Sequence, residues 1–420
     1  MEHNPFAFSS AEELLRCAGS MGLNLPFGES ADILRKPVTL HGKEIGNRIL
    51  AQPLEGGDAA FNGAPSPRTV ERYCRLAGGG FGCVWMESIS VNRQGRSNSR
   101  QLWLHEETER GFADMLARVR AAAGNRPVYL VAQLTHSGRY SSPDGSPAPV
   151  CAFSNPLIPR EHERIITDEE IAALEDDYLR AAKLAIDAGF DAVDIRACHG
   201  YLINELFAAY RREGLYGGSF ENRTRMLMNI VKNTVSAGCE VAVRLNFFDG
   251  LSYPYGWGIN PSGDMDLSEP LRLVDMLYAE GVRLLNISNG IGAVTPYVIR
   301  PYDTGGPKSG EHQLAGVDRM LQCARAAKQR APEALVVLSG LSWLREYGPL
   351  AAAGAIEEGW CDLAGWGRLS IAYPDFAGRI AGSRALDRNG CCAACCGCSS
   401  LIKSGKMLRC VMRDRLSKFQ

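Results

Sequence analysis

The chain contains no run of about 18 apolar residues of the kind that spans a bilayer. Its opening, MEHNPFAFSSAEELLRCAGS, begins acidic and lacks the charged-then-apolar plan of a signal peptide. Both absences point to a soluble cytoplasmic protein. Charge of one sign is missing too: 46 Lys and Arg stand against 47 Asp and Glu, a net charge of −1. Without a net field, attraction to nucleic acid or an anionic membrane is excluded, and the expected partners are small molecules or other proteins. No repeat of solenoid spacing is present. No G-x-G-x-x-G follows a strand-like run to bind a dinucleotide.

What the chain does have is alternation. Short apolar runs rich in β-branched residues occur at 48–54, 81–88, 128–134, 191–196, 240–246, 283–288, 334–340 and 361–367. Between them lie stretches such as EEIAALEDDYLRAAKLAIDAGF (169–190) and SEPLRLVDMLYAEGV (268–282), whose apolar residues recur at helical spacing and whose Gly marks a C-cap. Strands apolar on both faces that alternate with helices form parallel sheets, and eight such units predict an α/β fold closed into a (β/α)8 TIM barrel. An open doubly wound sheet is the alternative. The expected organisation is an N-terminal extension at 1–37 with one helix near 10–22, a barrel at 38–385 and a Cys-rich tail at 386–420. A hairpin within 38–49 would close the barrel floor. Two long connections, 135–170 and 289–316, follow strands and so fall on the C-terminal face, where barrels build active sites.

The strand ends supply candidate chemistry. DIRACHGYLINELF places Arg196, His199 and Tyr201 within six residues where a strand breaks at Gly200. A permanent cation and an imidazole can hold an oxyanion, and a phenol can give a proton. QLTHSGR presents Gln133, and VRLN presents Arg244. Gly340, Gly367 and Arg368 end the last two runs, and close backbone approach beside a fixed cation is what a barrel phosphate site requires. A Schiff-base lyase or aldolase on this frame would need a strand lysine, and none of the eight runs carries one.

These fragments, in this order, resemble the old yellow enzyme family of FMN-dependent NADH:flavin oxidoreductases. NRILAQPLEGGD, AGGGFGCVWMES and QLTHSGR are similar to its first three strands, DIRACHGYL to its substrate motif, and GGSFENRTR to the segment after it. VRLN looks like its fifth strand and GWGRLSIAYPDF its phosphate-binding end. The resemblance implies that Gln133 and Arg244 contact the flavin ring, and that the backbone at Pro53, Leu54 and Glu55, with Ser88, lies along its edge. Gly340, Gly367 and Arg368 would hold the FMN phosphate. It further implies an ene-reductase: hydride from reduced FMN reaches the β carbon of an unsaturated carbonyl or carboxylate, Arg196 and His199 bind the oxygen, and Tyr201 protonates the α carbon. Arg196 stands where the family commonly has His, which favours a carboxylate, a strongly charged enolate or a polar substrate. A flavin amine dehydrogenase of the same fold is the alternative, and a cation in the pocket argues against it.

The 14 cysteines are spread unevenly, eight across the first 361 residues and six in the last 30. NGCCAACCGCSS sets five within eight residues, and Cys392, Cys395, Cys398 and Cys410 read C-x2-C-x2-C-x11-C. That spacing resembles the [4Fe–4S] segment after the barrel in the long dienoyl-CoA reductase and trimethylamine dehydrogenase type of the family, with zinc or no metal as alternatives. Those relatives continue into dinucleotide-binding domains. Here the sequence ends at Gln420, so electrons are expected either directly from NAD(P)H or through the cluster from a separate donor protein. The sequence leaves the oligomeric state open.

Overall fold

The computed structural model describes residues 3–413 of the chain. Twelve strands run in order: β1 (Val38–Leu40), β2 (Lys43–Ile45), β3 (Ile49–Ala51), β4 (Cys83–Ser90), β5 (Tyr129–Thr135), β6 (Val150–Cys151), β7 (Arg164–Ile165), β8 (Ala192–Ala197), β9 (Val241–Asn246), β10 (Leu284–Ser288), β11 (Leu335–Leu338) and β12 (Leu363–Trp366). Eight of them, β3-β4-β5-β8-β9-β10-β11-β12, pair in parallel and close on themselves. The architecture is the expected (β/α)8 barrel, and closure excludes the open sheet.

Successive side chains of a strand point to opposite faces, and the core divides accordingly. Leu50, Trp85, Val131, Ala242, Val337 and Leu363 belong to the cluster inside the barrel. Their sequence neighbours Ile49, Val84, Leu130, Val243, Val336 and Ala364 belong to the layer shared with the helices. Leu40 and Ile45, from the β1–β2 hairpin, join the inner cluster, so this hairpin does plug the floor. The helices begin and end where their chemistry dictates. Over Asp168–Ala188 the Thr167 side chain accepts from Glu170 N in a capping box, and Gly189 closes the helix in the left-handed region at φ 106°.

The first residues strap the outside of the barrel. The single helix expected there spans Ala11–Ser20. Phe6 and Phe8 pack edge-on against Trp343, with ring centroids 5.2 and 6.2 Å away. Gly28 N donates to Leu350 O at 2.9 Å, tying the arm to the helix Gly348–Glu357. The Cys-rich segment docks against barrel loops: Asp303 N donates to Ala394 O at 3.0 Å and Leu408 N to Gly56 O at 2.8 Å. Among the described residues, no helix is long and apolar enough to cross a membrane.

Candidate active site

The C-terminal ends of β4, β5, β8, β9 and β10 converge on one polar cluster. Arg196 and Arg244 are register partners on adjacent strands. The strand β8 stops at Ala197, after which His199 (φ 65°) and Gly200 (φ 77°) turn the chain through the left-handed region. A Cβ on Gly200 would lie 2.9 Å from the Ile291 side chain, so both backbone conformation and space require glycine here. The turn delivers Tyr201 to the start of the short helix Leu202–Phe207.

The consequence is a compact constellation. The Arg196 guanidinium lies 3.5 Å from the centroid of the Tyr201 ring, a cation–π contact. Its Nη1 donates to Ser88 Oγ, and its Nη2 faces His199 Nδ1 at 3.4 Å. On the other side of the imidazole, Nε2 is 2.7 Å from Ser288 Oγ. Since a guanidinium can only donate, Nδ1 is the acceptor, and Nε2 carries the proton given to Ser288. Burial first, then Arg244, Arg196 and Arg300, push His199 well below the usual histidine range, so the ring is neutral. Tyr201 is pushed up by burial against the opposing pull of Arg196 and keeps its phenolic proton.

Gln133 is placed by two bonds: its Oε1 accepts from Ser88 Oγ at 3.1 Å and its Nε2 donates to Asp194 Oδ2 at 2.7 Å. Asp194, fully buried inside the barrel, also accepts from Trp85 Nε1 at 2.7 Å and Arg244 N at 2.6 Å. Burial raises its pKa to about 6 in spite of those donors. His136 and Arg139, from the same run as Gln133, serve the framework. The His136 Nδ1 accepts from Gly138 N, and Arg139 is locked to Glu205 and Glu163.

Six arginines are buried among the described residues. Arg139 and Arg223 are paired with carboxylates, and Arg96 donates to the backbone carbonyls of Phe61, Ser99 and Gln101. Arg196, Arg244 and Arg368 are 7, 6 and 5 % exposed, and among the described residues none of them forms an ion pair. Arg196 Nε, Arg244 Nε and Arg368 Nη1 are shut off from solvent with no acceptor at all. An unpaired buried cation is costly, so this donor set suits a ligand that brings anionic and carbonyl oxygens. Arg368 sits where β12 ends at Gly367, and its Nη2 donates to Pro301 O at 2.6 Å. A Cβ on Gly367 would meet the Leu54 side chain at 3.5 Å, and Gly340 (φ 87°) opens the neighbouring turn after β11. This donor set fits a flavin mononucleotide, which carries a phosphate and ring carbonyl oxygens.

Three participants escaped the sequence reading. Ser288 ends β10 and orients His199; its position at a strand end was the available signal. Arg300, in the loop after β10, donates to Ser399 Oγ at 3.0 Å and faces both His199 and the cysteines. The Glu55 side chain, as distinct from its backbone, accepts from Ser97 Oγ at 2.5 Å and from Asn98 Nδ2.

In the tail, Cys392, Cys395, Cys396, Cys398 and Cys410 line one shallow depression beside Arg368. Cys391 does not, and its buried thiol is pushed up to about 12. All 14 thiols are free. Among the described residues no group of three or more His, Cys, Asp or Glu side chains is gathered closely enough to hold a metal ion.

Fold and site together define a closed parallel barrel with buried arginines at its C-terminal face. Residues 34–254 match the model of the NADH:flavin oxidoreductase / NADH oxidase family, and the chain belongs to that family. It is 27 % identical to the NADH:flavin oxidoreductase FG08077 of Gibberella zeae over 60 % of its own length and 66 % of that protein's. To the NADH oxidase of Thermoanaerobacter brockii it is 29 % identical over 61 % of its length, spanning only 39 % of that relative. An NADPH dehydrogenase of Geobacillus sp. is 29 % identical over 64 % of the chain and 76 % of its own length. The chain thus spans less than two thirds of the first two relatives. Among solved structures, a 2-naphthoyl-CoA reductase in complex with 2-naphthoyl-CoA superposes with a TM-score of 0.78 at 22 % identity, over 92 % of this chain and 58 % of that one. Morphinone reductase gives 0.65 at 22 % identity, over 87 and 92 %. At that identity these two likenesses speak to the fold alone.

Proposed function

We propose that the chain is an FMN-dependent ene-reductase, supplied with electrons by NAD(P)H and acting on an alkene conjugated to a carbonyl or carboxylate. The observation that carries this reading is the meeting of Arg196, His199, Tyr201 and Ser88 at the barrel mouth, beside buried guanidinium groups with which no carboxylate among the described residues forms an ion pair. Bound FMN would supply hydride chemistry. Gln133 and Arg244 would hold its ring, the backbone of Pro53, Leu54 and Glu55 with Ser88 its edge, and Gly340, Gly367 and Arg368 its phosphate.

The protein's own part follows from the geometry. Arg196 takes the substrate oxygen, because its charge is permanent and no carboxylate among the described residues forms an ion pair with it. Neutral His199, fixed by Ser288, accepts from Arg196 and steers it. Tyr201 holds the proton at Oη and delivers it to the α carbon. A fixed guanidinium favours a carboxylate or a substrate that builds full negative charge on oxygen, and it repels the cationic amine of an amine dehydrogenase.

The tail is proposed to hold a [4Fe–4S] cluster through Cys392, Cys395, Cys398 and Cys410. The support is the spacing C-x2-C-x2-C-x11-C together with the depression beside Arg368 that all four cysteines line. Barrel (38–385) and tail (386–420) would then be functional units, fed directly by NAD(P)H or, through the cluster, by a separate donor protein.

The test is direct. Protein purified without oxygen and reconstituted with FMN is expected to show a bound-flavin spectrum, with iron and sulfide in equal amounts. It should reduce cinnamate or a 2-enone with NADH or NADPH. Absence of flavin binding overturns the reading of the barrel, and zinc without iron overturns that of the tail.

A further inference from the structure

We propose that Asn204, held by Asp249, is a positioning residue: it fixes the His199–Gly200 turn and so sets where Tyr201 holds its proton. The proposal rests on the reading of Tyr201 as proton donor.

The helix Leu202–Phe207 starts without the usual cap. Its N-cap position is taken by Tyr201, whose side chain caps nothing and lies against the Arg196 guanidinium instead. A helix start leaves backbone N–H groups unpaired, and a side chain at the third helical position often reaches back to satisfy one. Asn204 stands at that position. Its Oδ1 accepts from Gly200 N at 2.6 Å, within the left-handed turn itself. Asn204 is wholly buried, so both ends of its amide need partners inside the protein. The other end, Nδ2, donates to Asp249 Oδ1 at 3.3 Å. Asp249, buried in the loop after β9, also accepts from Asn246 Nδ2 at 2.8 Å on Oδ1 and from Trp257 N at 3.0 Å on Oδ2.

These partners decide which way the Asn204 amide points. Gly200 N can only donate and the Asp249 carboxylate receives three donors, so Oδ1 faces the turn and Nδ2 faces the carboxylate. A reversed amide would set N–H against N–H and oxygen against oxygen. The opposite flank of the turn is held from the same anchor. His199 forms a β-bridge to Ile291, Ile291 N donates to Thr295 Oγ1 at 2.8 Å, and that hydroxyl donates to Asp249 O at 2.7 Å. Asp249 thus grips the turn twice, by its side chain through Asn204 and by its carbonyl through Thr295. Without Asn204 one flank is loose, and a displacement of about 1 Å at a reacting group costs on the order of 10²-fold in rate. The chemistry itself is unaltered: the Tyr201 Oη–H bond breaks as the α C–H bond forms, and the phenolate recovers a proton from water.

Asn204→Leu removes the bond to Gly200 N while keeping the side chain's shape. In the FMN-loaded variant, reduction of the flavin by NADH or NADPH should run at the wild-type rate. Oxidation of the reduced enzyme by cinnamate or the 2-enone should slow on the order of 10²-fold. With α-methylcinnamate or an α-methyl 2-enone, whichever the wild type reduces, the product should lose the single α configuration of the wild-type product, because water then competes with a misplaced Tyr201. An unslowed alkene step, equal slowing of both half-reactions, or slowing with the α configuration retained overturns the proposal. Should Asn204→Leu fail to bind flavin, Asp249→Asn tests the same device. Trp257 N keeps an oxygen opposite it, so the new amide nitrogen faces Asn204, whose amide must reverse away from Gly200 N. The same split between half-reactions and the same loss of configuration are expected, and their absence overturns the proposal. Full turnover by FMN-loaded Tyr201→Phe with the wild-type α configuration would instead overturn the donor reading on which the proposal rests.

Discussion

At the scale of single residues, one consequence of the site is that its two oxygen-binding candidates are unequal. Both ring nitrogens of His199 are engaged, one by Arg196 and one by Ser288, whereas Arg196 carries a permanent charge with which no carboxylate among the described residues forms an ion pair. Arg196→Gln should therefore cost kcat/KM on the order of 10²–10³, the loss typical of a removed oxyanion donor. His199→Asn, which acts through Arg196, should cost clearly less; steady-state kinetics of the pair decides it. Tyr201→Phe should lower alkene reduction by about 10²–10⁴ while FMN stays bound and is still reduced by NAD(P)H, a split that stopped-flow absorbance reads. Asp194 gives a pH prediction. Its folded pKa of about 6 lies above the ordinary carboxyl value, so the native state binds the extra proton and the stability this contributes is lost as pH rises from about 4 to about 6. Asp194→Asn has no such loss. Its stability relative to the wild type should improve by about 3 kcal/mol across that window, measurable by denaturant titration at both ends.

At the scale of elements, the site depends on how strands stop. The strand β8 ends at Ala197, and two successive left-handed residues, His199 and Gly200, place Tyr201 under Arg196. The spacing of these residues was legible in DIRACHGYL, because strand ends at the C-terminal face of a barrel point into its mouth. Their hydrogen-bond partners were not, because Ser88 and Ser288 come from strands 108 and 89 residues away. The helix Gly348–Glu357 shows a similar long-range dependence. Gly354 receives the N-terminal arm so closely that a Cβ would lie 2.7 Å from Phe27 Cα, backbone that cannot give way. Gly354→Ala should gain helix propensity yet destabilise by about 1–3 kcal/mol through overpacking, seen as a lowered Tm with the flavin site unaltered.

At the scale of the whole molecule, the Cys-rich segment is joined to the barrel mouth. It bonds to the loop that carries Glu55 through Leu408 and Gly56, and to the loop after β10 through Ala394 and Asp303. Arg368, the residue proposed to hold the phosphate, also lines the cysteine depression. Occupants of the two sites should therefore stabilise each other. Cys398→Ser and Cys410→Ser should lose bound iron and lower Tm, while Cys391→Ser, outside the depression, should keep both; metal analysis of the three variants checks this.

The alternation of apolar runs and amphipathic stretches was enough to specify a parallel barrel, because each strand must be buried on both faces and each helix on one. Strand ends and Cys spacing likewise depend on local order along the chain, so Arg196, His199, Tyr201 and the four cysteines could be picked out from it. Which nitrogen of His199 carries the proton and which arginines lack a carboxylate depended on groups brought together from separate strands and loops. Only closure of the barrel decided them, since hydrogen bonds and burial are set by neighbours in space rather than in sequence.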